Sequence, residues 1–282
     1  MGLEEVGDKT YAVVAEGGDS NFGLIVSDEG VIVVDGDVRR WNEIQRYLDQ
    51  VTSAPVALVI DTHDNFDHTS ANSLFRDKGA IIMATVACKE ILNGRGREEF
   101  QQKLADGSVK GLDLGKLRVC LPQIAITGPT AVEMGNKLIE VIPVGHAHTP
   151  GDLVVFLPHE GVLFAGDVVF SDNHPVMRNG DVFNWMRIMD TLKGLSISTV
   201  VPGHGPIGGS ELIDGFSQYL RFLVGQVQEQ IDAGADVEEV LASTTFPERY
   251  KQWGKTNWIP TNLRRIYEQL TSEKNGSWRV SR

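Results

Sequence analysis

The sequence predicts an α/β domain followed by a helical extension. Short apolar runs bounded by Gly, Asp and Pro alternate with amphipathic helical patterns through the first two hundred residues, as in proteins that mix strands with helices. Beyond residue 210 the apolar residues, among them Phe216, Leu220, Leu223 and Val227, follow helical spacing instead. We therefore expect a mixed region over residues 1–209, and helices over 210–282 that pack on the same domain.

Composition and charge exclude several classes of protein. The chain has 282 residues, 41% hydrophobic and 23% charged, which is typical of a globular protein, and its formal net charge of −12 argues against a nucleic-acid partner. The acidic first ten residues lack the features of a signal peptide, and no apolar run is long enough to span a membrane. Cys88 and Cys120 form no CxxC motif, which excludes a zinc finger and favours small buried side chains. We expect a cytoplasmic protein that contacts neither membrane nor nucleic acid.

The first half of the chain predicts strands separated by helices. Apolar runs bounded by Gly and Asp predict a meander of three strands at 11–15, 21–26 and 31–34. Ile44, Tyr47, Leu48 and Val51 share one face of a helix at about 41–51, and a β-branched run at 56–60 predicts a buried strand. A further helix begins near Ser70, and a strand follows at 81–84. Residues 86–106 are compatible with helix, with a break at 94–96 where two glycines lie.

The second half returns to strands before the extension begins. Residues 124–164 alternate apolar runs with turns, including a hairpin turn at 134–137, and 162–165 is a buried strand that leads into Gly166-Asp167. Residues 181–194 favour a helix and 198–201 a short strand. The extension contains helical patterns at 212–231, 237–241 and 263–270.

Five of the seven histidines lie in three polar segments, each of which follows an apolar strand. The segments are THDNFDH at 62–68, GHAHTPGD at 145–152 and PGHGP at 202–206. A rigid sheet can direct side chains on such loops toward a common point. Imidazole and carboxylate groups are ligands of zinc, iron and manganese. The pattern therefore predicts a metal site at one edge of the sheets.

The order HxNxDH, HTPGD, a strand ending in Gly-Asp, and PGHGP resembles the metallo-β-lactamase superfamily, whose usual first motif is HxHxDH. The resemblance covers about residues 13–206. The tail, with Tyr250, Trp253, Trp258 and Asn262, resembles that of the SoxH-like and quinoprotein-relay branch. The resemblance implies a four-layer αββα sandwich with metals at one edge, and a catalytic domain over residues 1–209.

The resemblance also implies two metal pockets that share a bridging carboxylate. It assigns His63, position 65 and His148 to the first pocket, Asp67, His68 and His204 to the second, and Asp167 to the bridge. It likens Asp35, at the end of its strand, to an aspartate that supports the ligand loop, although a turn aspartate would fit the sequence almost as well.

Position 65 departs from the family motif because it holds Asn where His is usual. A neutral amide oxygen is a weak zinc ligand, so the first pocket should be weakened while the second is intact. Asn65 would then bind metal weakly or bind substrate instead. His146 would either replace the missing ligand or hydrogen-bond the loop backbone. His174, in the loop after Asp167, is a candidate for metal or substrate contact, with a solvated loop residue as the alternative.

These residues predict hydrolysis of a small molecule. Zinc, one or two ions per chain, with iron or manganese as alternatives, lowers the pKa of a bound water to about 7. The metal-bound hydroxide would attack an ester, lactone, amide, thioester or activated aryl halide. Asp67 would be the catalytic group that orients the water or carries its proton to the leaving group.

Two other functions fit the same residues. A mononuclear iron oxidoreductase acting on a thiol or persulfide would use the same His and Asp ligands. An inactive metal- or ligand-binding protein would keep the fold and have lost the chemistry through Asn65. The amphipathic face of the extension would also suit a homodimer.

Overall fold

Two β-sheets pack face to face at the centre of the structure, a computed structural model that describes residues 2–15 and 19–274. In this part of the chain the first sheet has seven strands and the second has five, each in sequence order. The first sheet contains β1 (Leu3–Gly7), β2 (Thr10–Val13), β3 (Phe22–Ser27), β4 (Gly30–Val34), β5 (Val56–Ile60), β6 (Ile81–Thr85) and β7 (Ile124–Ile126). The second contains β8 (Thr130–Met134), β9 (Lys137–Pro143), β10 (Leu153–Leu157), β11 (Val162–Phe170) and β12 (Thr199–His204).

Both sheets are mixed. Strands β4 to β7 run parallel, as do β11 and β12, whereas the other neighbours are antiparallel. Because β4 and β5 are parallel, as are β11 and β12, the loops that follow the strands of each pair begin at the same edge of their sheet. The loops from the two sheets can therefore approach each other across the sandwich. This arrangement positions the polar segments that follow those strands.

Helices cover the outer faces of the two sheets. They are α1 (Trp41–Val51), α2 (Phe66–Thr69), α3 (Asn72–Asp77), α4 (Val86–Asn93), α5 (Arg95–Ala105), α6 (Val182–Leu192), α7 (Glu211–Asp232), α8 (Val237–Ser243), α9 (Glu248–Lys251) and α10 (Ile259–Lys274). Short 3-10 helices lie at Val38–Arg40, Leu114–Lys116 and Thr256–Trp258.

Three apolar cores define four layers. Between the sheets, Ile32 of the first and Leu153 of the second belong to one buried cluster. On the outer face of the first sheet, Ile44 of α1 and Phe75 of α3 pack against the strands. On the outer face of the second sheet, fully buried Trp185 of α6 belongs to a cluster that includes residues of α7 and α10. The predicted αββα sandwich with a helical C-terminal region is confirmed.

Most predicted elements are present, and the differences concern short or polar segments. Gly94 separates α4 from α5, as its position in the sequence suggested. Strand β1 and helix α9 were not predicted, because β1 contains the exposed Glu4 and Glu5 and α9 is a single turn. Helix α10 is longer at both ends than its apolar pattern, because its first and last turns are largely polar.

The helical extension shares a core with the second sheet. Phe216 and Leu220 of α7 and Ile266 of α10 are buried in the same cluster as Trp185. Residues 275–282 of the predicted extension lie outside the described residues. Among the helices of the described ranges, none has the length and apolar character needed to cross a bilayer.

An aromatic cluster joins the loop after β11 to the extension, and His174 lies inside it. The His174 ring is within 6 Å of the ring centroids of Tyr219, Phe246 and Trp253, and its side chain is buried. Its Nδ1 lies 2.7 Å from the Tyr219 hydroxyl oxygen, within hydrogen-bond distance. Burial lowers the pKa of His174 to about 4, against the opposing effect of a hydrogen bond to the backbone of Tyr250.

We expect His174 to make the protein less stable in mild acid. Because its pKa is lowered by folding, the unfolded chain binds the proton first, and stability is lost as pH falls from about 6.5 toward 4. The loss would be up to about 1.4 kcal/mol per pH unit. The variant His174→Gln keeps hydrogen-bonding groups but cannot titrate. Urea unfolding at several pH values should show that the difference in free energy of unfolding between wild type and variant becomes smaller in acid. A difference that does not change with pH would contradict this.

Candidate metal centre

The ends of strands from both sheets meet at one edge of the sandwich, where the predicted site residues lie. Asp35 follows β4, and the segment from His63 to His68 follows β5 and includes α2. His148 lies in the loop between β9 and β10, Asp167 lies within β11, and His204 ends β12. The parallel pairing places Phe170 of β11 opposite His204. Residues far apart in the sequence therefore converge at this edge.

Asp35 ties the first strand end to the ligand loop. Its backbone has a left-handed φ of 63°, unusual for a residue other than glycine, and its side chain is buried. The carboxylate accepts hydrogen bonds from the backbone N–H and the hydroxyl of Thr62, each at 2.7 Å, and from Nδ1 of His68 at 2.8 Å. Asp35 is thus a support of the loop and not only a turn residue.

Three histidines are oriented by hydrogen bonds at Nδ1. His68 donates from Nδ1 to Asp35, and His148 donates from Nδ1 to the backbone oxygen of Val176 at 2.8 Å. Nδ1 of His63 lies 3.0 Å from the hydroxyl oxygen of Thr62, whose own proton goes to Asp35, so His63 donates. In each neutral ring Nε2 is therefore left with a lone pair.

The Nε2 atoms converge on the carboxylate of Asp167. Asp167 Oδ1 lies 3.3 Å from Nε2 of both His68 and His204. Asp167 Oδ2 lies 3.4 Å from Nε2 of His148 and 3.8 Å from Nε2 of His63. Asp67 Oδ2 lies 3.5 Å from Nε2 of His204 and 3.7 Å from Nε2 of His68. Two triads, His63 with His68 and Asp167, and Asp67 with His68 and His204, each hold their ligand atoms within 4.8 Å of one another.

The cluster fits a metal cation. Nε2 of His63, Nε2 of His68 and Oδ1 of Asp167 are buried without a hydrogen-bond partner in the described part of the chain. Buried polar atoms are rarely left in this state, and a bound cation would satisfy those that ligate it. Imidazole nitrogen and carboxylate oxygen form the donor set that zinc, iron and manganese accept.

Charge in the cluster also favours a cation. Burial lowers the pKa of His68, but the nearby Asp167, Asp35 and Asp67 carboxylates outweigh it and raise this pKa well above the usual value. Burial raises the pKa of Asp167, but the surrounding histidines, His204 first among them, hold it well below the ordinary range. The Asp167 carboxylate therefore stays ionised and attracts positive charge.

The three remaining candidates, Asn65, His146 and His174, contact groups other than the carboxylates of the cluster. The side chain of Asn65 faces His148, with Nδ2 2.9 Å from Nε2. His146 donates from Nε2 to the backbone oxygen of Asn179 at 2.6 Å, as in the backbone-bonded alternative for this residue. His174 is not brought to the cluster and instead lies in the aromatic cluster of the extension.

Several supporting residues were missed from sequence. Thr62 links Asp35 to His63, and Asp152 accepts the backbone N–H groups of His148 and Thr149. Burial raises the pKa of Asp152 to about 7, although nearby His148 and its hydrogen bonds oppose this. Asp152 stands in the HTPGD motif, so the motif itself was a signal for it. Thr62 has no comparable signal in one sequence.

The loop that holds His148 is in turn held by α10. Asn262, fully buried, accepts the N–H of Met177 through Oδ1 at 2.9 Å and donates from Nδ2 to the backbone oxygen of Pro175 at 2.8 Å. These two contacts fix the backbone on both sides of Val176, the acceptor for His148. The extension is therefore part of the support of the cluster.

Comparison with known proteins agrees with this geometry. Residues 15–204, about two thirds of the chain, match the sequence model of the Metallo-beta-lactamase superfamily. The chain belongs to the metallo-beta-lactamase superfamily. Superfamily membership and the His/Asp cluster together support a metal-dependent hydrolase in general terms. The more specific resemblance to a SoxH-like branch stays a prediction.

Individual relatives are distant. Metallo-beta-lactamase type 2 of Bacteroides fragilis is 32% identical over 117 residues, 39% of this chain and 47% of that protein, so the alignment spans about half of the relative. A probable metallo-hydrolase of Methanocaldococcus jannaschii is 26% identical over 67% of this chain and 89% of its own length. The solved structure of a double mutant of the sec-alkyl sulfatase PisA1 superposes with a TM-score of 0.75 at 18% identity, covering 95% of this chain and 50% of that one. This last likeness shows the fold alone.

We expect Asp35→Asn to weaken metal binding about 10- to 100-fold while the fold is kept. Whichever way the new amide is oriented, its NH₂ faces either the Thr62 N–H or Nδ1–H of His68. One donor therefore loses its acceptor, or His68 moves its proton to Nε2, the atom that faces the cluster. Zinc affinity by competition with a chromophoric chelator, with circular dichroism as the folding control, checks this. Unchanged affinity would show that Asp35 does not support the ligands.

Proposed function

We propose that this protein is a zinc-dependent hydrolase of a small molecule with an electrophilic carbon, its substrate an ester, lactone, amide, thioester or activated aryl halide. The observation that carries the proposal is the convergence of Nε2 lone pairs on Asp167 within a buried group of carboxylates. Zinc is proposed because its preferred ligands match this set, and iron and manganese accept the same atoms.

The candidate ligands are His63, His68, His148, His204, Asp67 and Asp167, and four of them, Asp67, His68, His204 and Asp167, form the pocket that has two carboxylates. A bound divalent ion supplies an activated water and an electrostatic partner for the negative charge that develops on the substrate. The residues of the chain supply orientation, because Asp35, Thr62 and the Val176 carbonyl fix three of the imidazoles before any substrate arrives.

Asp67 is the proposed proton carrier. It is the most exposed carboxylate of the cluster, with 26% of its side chain accessible, whereas only 3% of the Asp167 side chain is accessible. Its neighbours His68 and His204 lower its pKa against the effect of burial, so the carboxylate is ionised at neutral pH and can orient a water by accepting its hydrogen bond. Because its side chain is partly accessible, the same carboxylate could also carry a proton to a leaving group.

The substrate class rests on charge and on relatives. A formal net charge of −12 disfavours a polyanionic substrate such as nucleic acid. The Bacteroides fragilis relative is named a metallo-beta-lactamase and the Methanocaldococcus jannaschii relative a probable metallo-hydrolase, and both names suit hydrolysis of a small molecule. A cytoplasmic location, the absence of a membrane partner and a homodimer stay predictions.

We expect Asp67→Asn to reduce kcat at least 100-fold and to lower zinc content, since the variant loses both a proton carrier and a negative ligand. The matched control is Asp49→Asn, an exposed carboxylate on α1. Both variants would be loaded with zinc and assayed on p-nitrophenyl acetate, a homoserine lactone, a thioester, nitrocefin and an activated aryl chloride. Full zinc content and full activity in Asp67→Asn would overturn the assignment.

The same preparations separate the alternative functions. Iron in the purified protein, together with oxygen uptake in the presence of a thiol or persulfide, would replace hydrolysis by the oxidoreductase. Metal uptake without turnover of any substrate in the panel would indicate the binding protein. Hydrolysis by the zinc-loaded protein that is lost on chelation and restored by zinc supports the proposal.

A further inference from the structure

Asn65 occupies the place of a metal ligand and makes a contact that no ligand would make. Its Nδ2 lies 2.9 Å from Nε2 of His148, the atom through which His148 would bind a metal in the first pocket. The two residues are 83 positions apart in the sequence and lie on loops from different sheets. The contact therefore depends on the tertiary structure and was not visible from sequence.

The hydrogen-bond network fixes the orientation of the Asn65 amide. The Val176 oxygen can only accept, so Nδ1 of His148, 2.8 Å away, carries the ring proton. In the neutral ring Nε2 then accepts from Nδ2 of Asn65, because its other polar neighbour, Oδ2 of Asp167 at 3.4 Å, has no proton to donate. The Asn65 NH₂ group, and not its oxygen, faces His148. An amide nitrogen has no lone pair available for a metal, so Asn65 in this orientation is not a ligand.

The position of Asn65 in the chain would allow its side chain to form a helix-capping hydrogen bond, which is absent. Asn65 is the N-cap of α2, and asparagine is among the residues that most often cap a helix with their own side chain. No such capping hydrogen bond is made here. The side chain instead extends to His148, so the contact prevails over the usual local preference.

The two pockets consequently differ. In the first, a metal would need the lone pair of His148 that now accepts from Asn65, and rotating the amide would offer only a neutral, weakly basic oxygen in exchange. In the second, Asp67, His68 and His204 hold their ligand atoms within 4.8 Å, and Asp167 Oδ1 lies 3.3 Å from two of them. The second pocket has two carboxylates, while the first has only its shared Asp167.

We propose that Asn65 closes the first pocket by donating a hydrogen bond to His148, so that the protein binds one divalent ion tightly, in the pocket of Asp67, His68, His204 and Asp167. The proposal rests on the proposed function in one respect, that the second pocket holds a metal. The proposal goes beyond the proposed function by giving the metal stoichiometry and by making Asn65 a positioning residue, which acts through His148.

The test is a zinc titration of the metal-free protein by calorimetry, with elemental analysis after dialysis. We expect wild type to bind one equivalent tightly and Asn65→His to bind a second equivalent at least tenfold more tightly than wild type does. The matched control is Asn42→His, which adds an imidazole at an exposed position of α1 and should leave the stoichiometry at one.

A second variant, Asn65→Ala, distinguishes a donor from a ligand. Removing the donor frees His148, so the second equivalent should bind no more weakly than in wild type. If Asn65 is a ligand through its oxygen, wild type binds two equivalents tightly and Asn65→Ala binds one, which overturns the proposal. Unchanged stoichiometry in Asn65→His also overturns it, because the pocket would then be closed for another reason.

The visible spectrum of the Co²⁺-substituted protein gives a readout that does not depend on turnover. One equivalent of Co²⁺ should saturate the wild-type spectrum, whereas Asn65→His should develop further absorbance up to two equivalents. Wild type that binds no metal overturns both this proposal and the proposed function. One tight equivalent without hydrolysis of any substrate overturns the proposed function alone.

Discussion

The hydrogen bond between Asp35 and His68 is the interaction on which the site depends. Asp35 ends a buried strand of the first sheet, and His68 lies at the end of the ligand loop that follows the neighbouring strand. One carboxylate accepts from the backbone and hydroxyl of Thr62 as well as from His68, so it fixes both ends of that loop. Its left-handed backbone conformation costs about 1 kcal/mol or more, which the three buried hydrogen bonds offset.

The helical extension supports the same site from the opposite side. Asn262 of α10 fixes the backbone around Val176, and the Val176 oxygen sets which nitrogen of His148 carries the proton. The extension also shares its core with the second sheet. Removing the extension would therefore both expose apolar surface and release the loop around Val176. The ligands of the cluster are thus held by strand ends of the first sheet and by the helical layer that covers the second sheet.

The asymmetry between the pockets has a chemical consequence. If the protein binds the single ion proposed above, that ion with two carboxylate ligands would carry less net positive charge than a pair of ions and would favour substrates whose electrophile is already activated. Asn65, partly accessible at the cleft, would also present its remaining amide proton to a bound molecule.

The sequence by itself determined most strands and helices and the three histidine motifs, while the four layers and the set of candidate ligands were implied by the resemblance to the metallo-β-lactamase superfamily. Hydrophobic periodicity is a local property, so the buried strands β3 to β6 and the amphipathic helices α1 and α7 were predictable. The histidine motifs were equally visible, because strand-end loops rich in Gly and Asp are local as well. Half-exposed β1 and single-turn α9 carry little periodic signal, which is why they were missed.

Only the tertiary structure decided how the candidates are used. His146 and His174 carry the same imidazole as His148, yet one donates to the Asn179 backbone and the other lies among aromatic rings. The role proposed for Asn65 depends on the Val176 oxygen, which any residue type could supply at that position. Side-chain type is a property of the sequence, whereas the choice of hydrogen-bond partner depends on groups that are distant in the chain and meet only when the sheets pack.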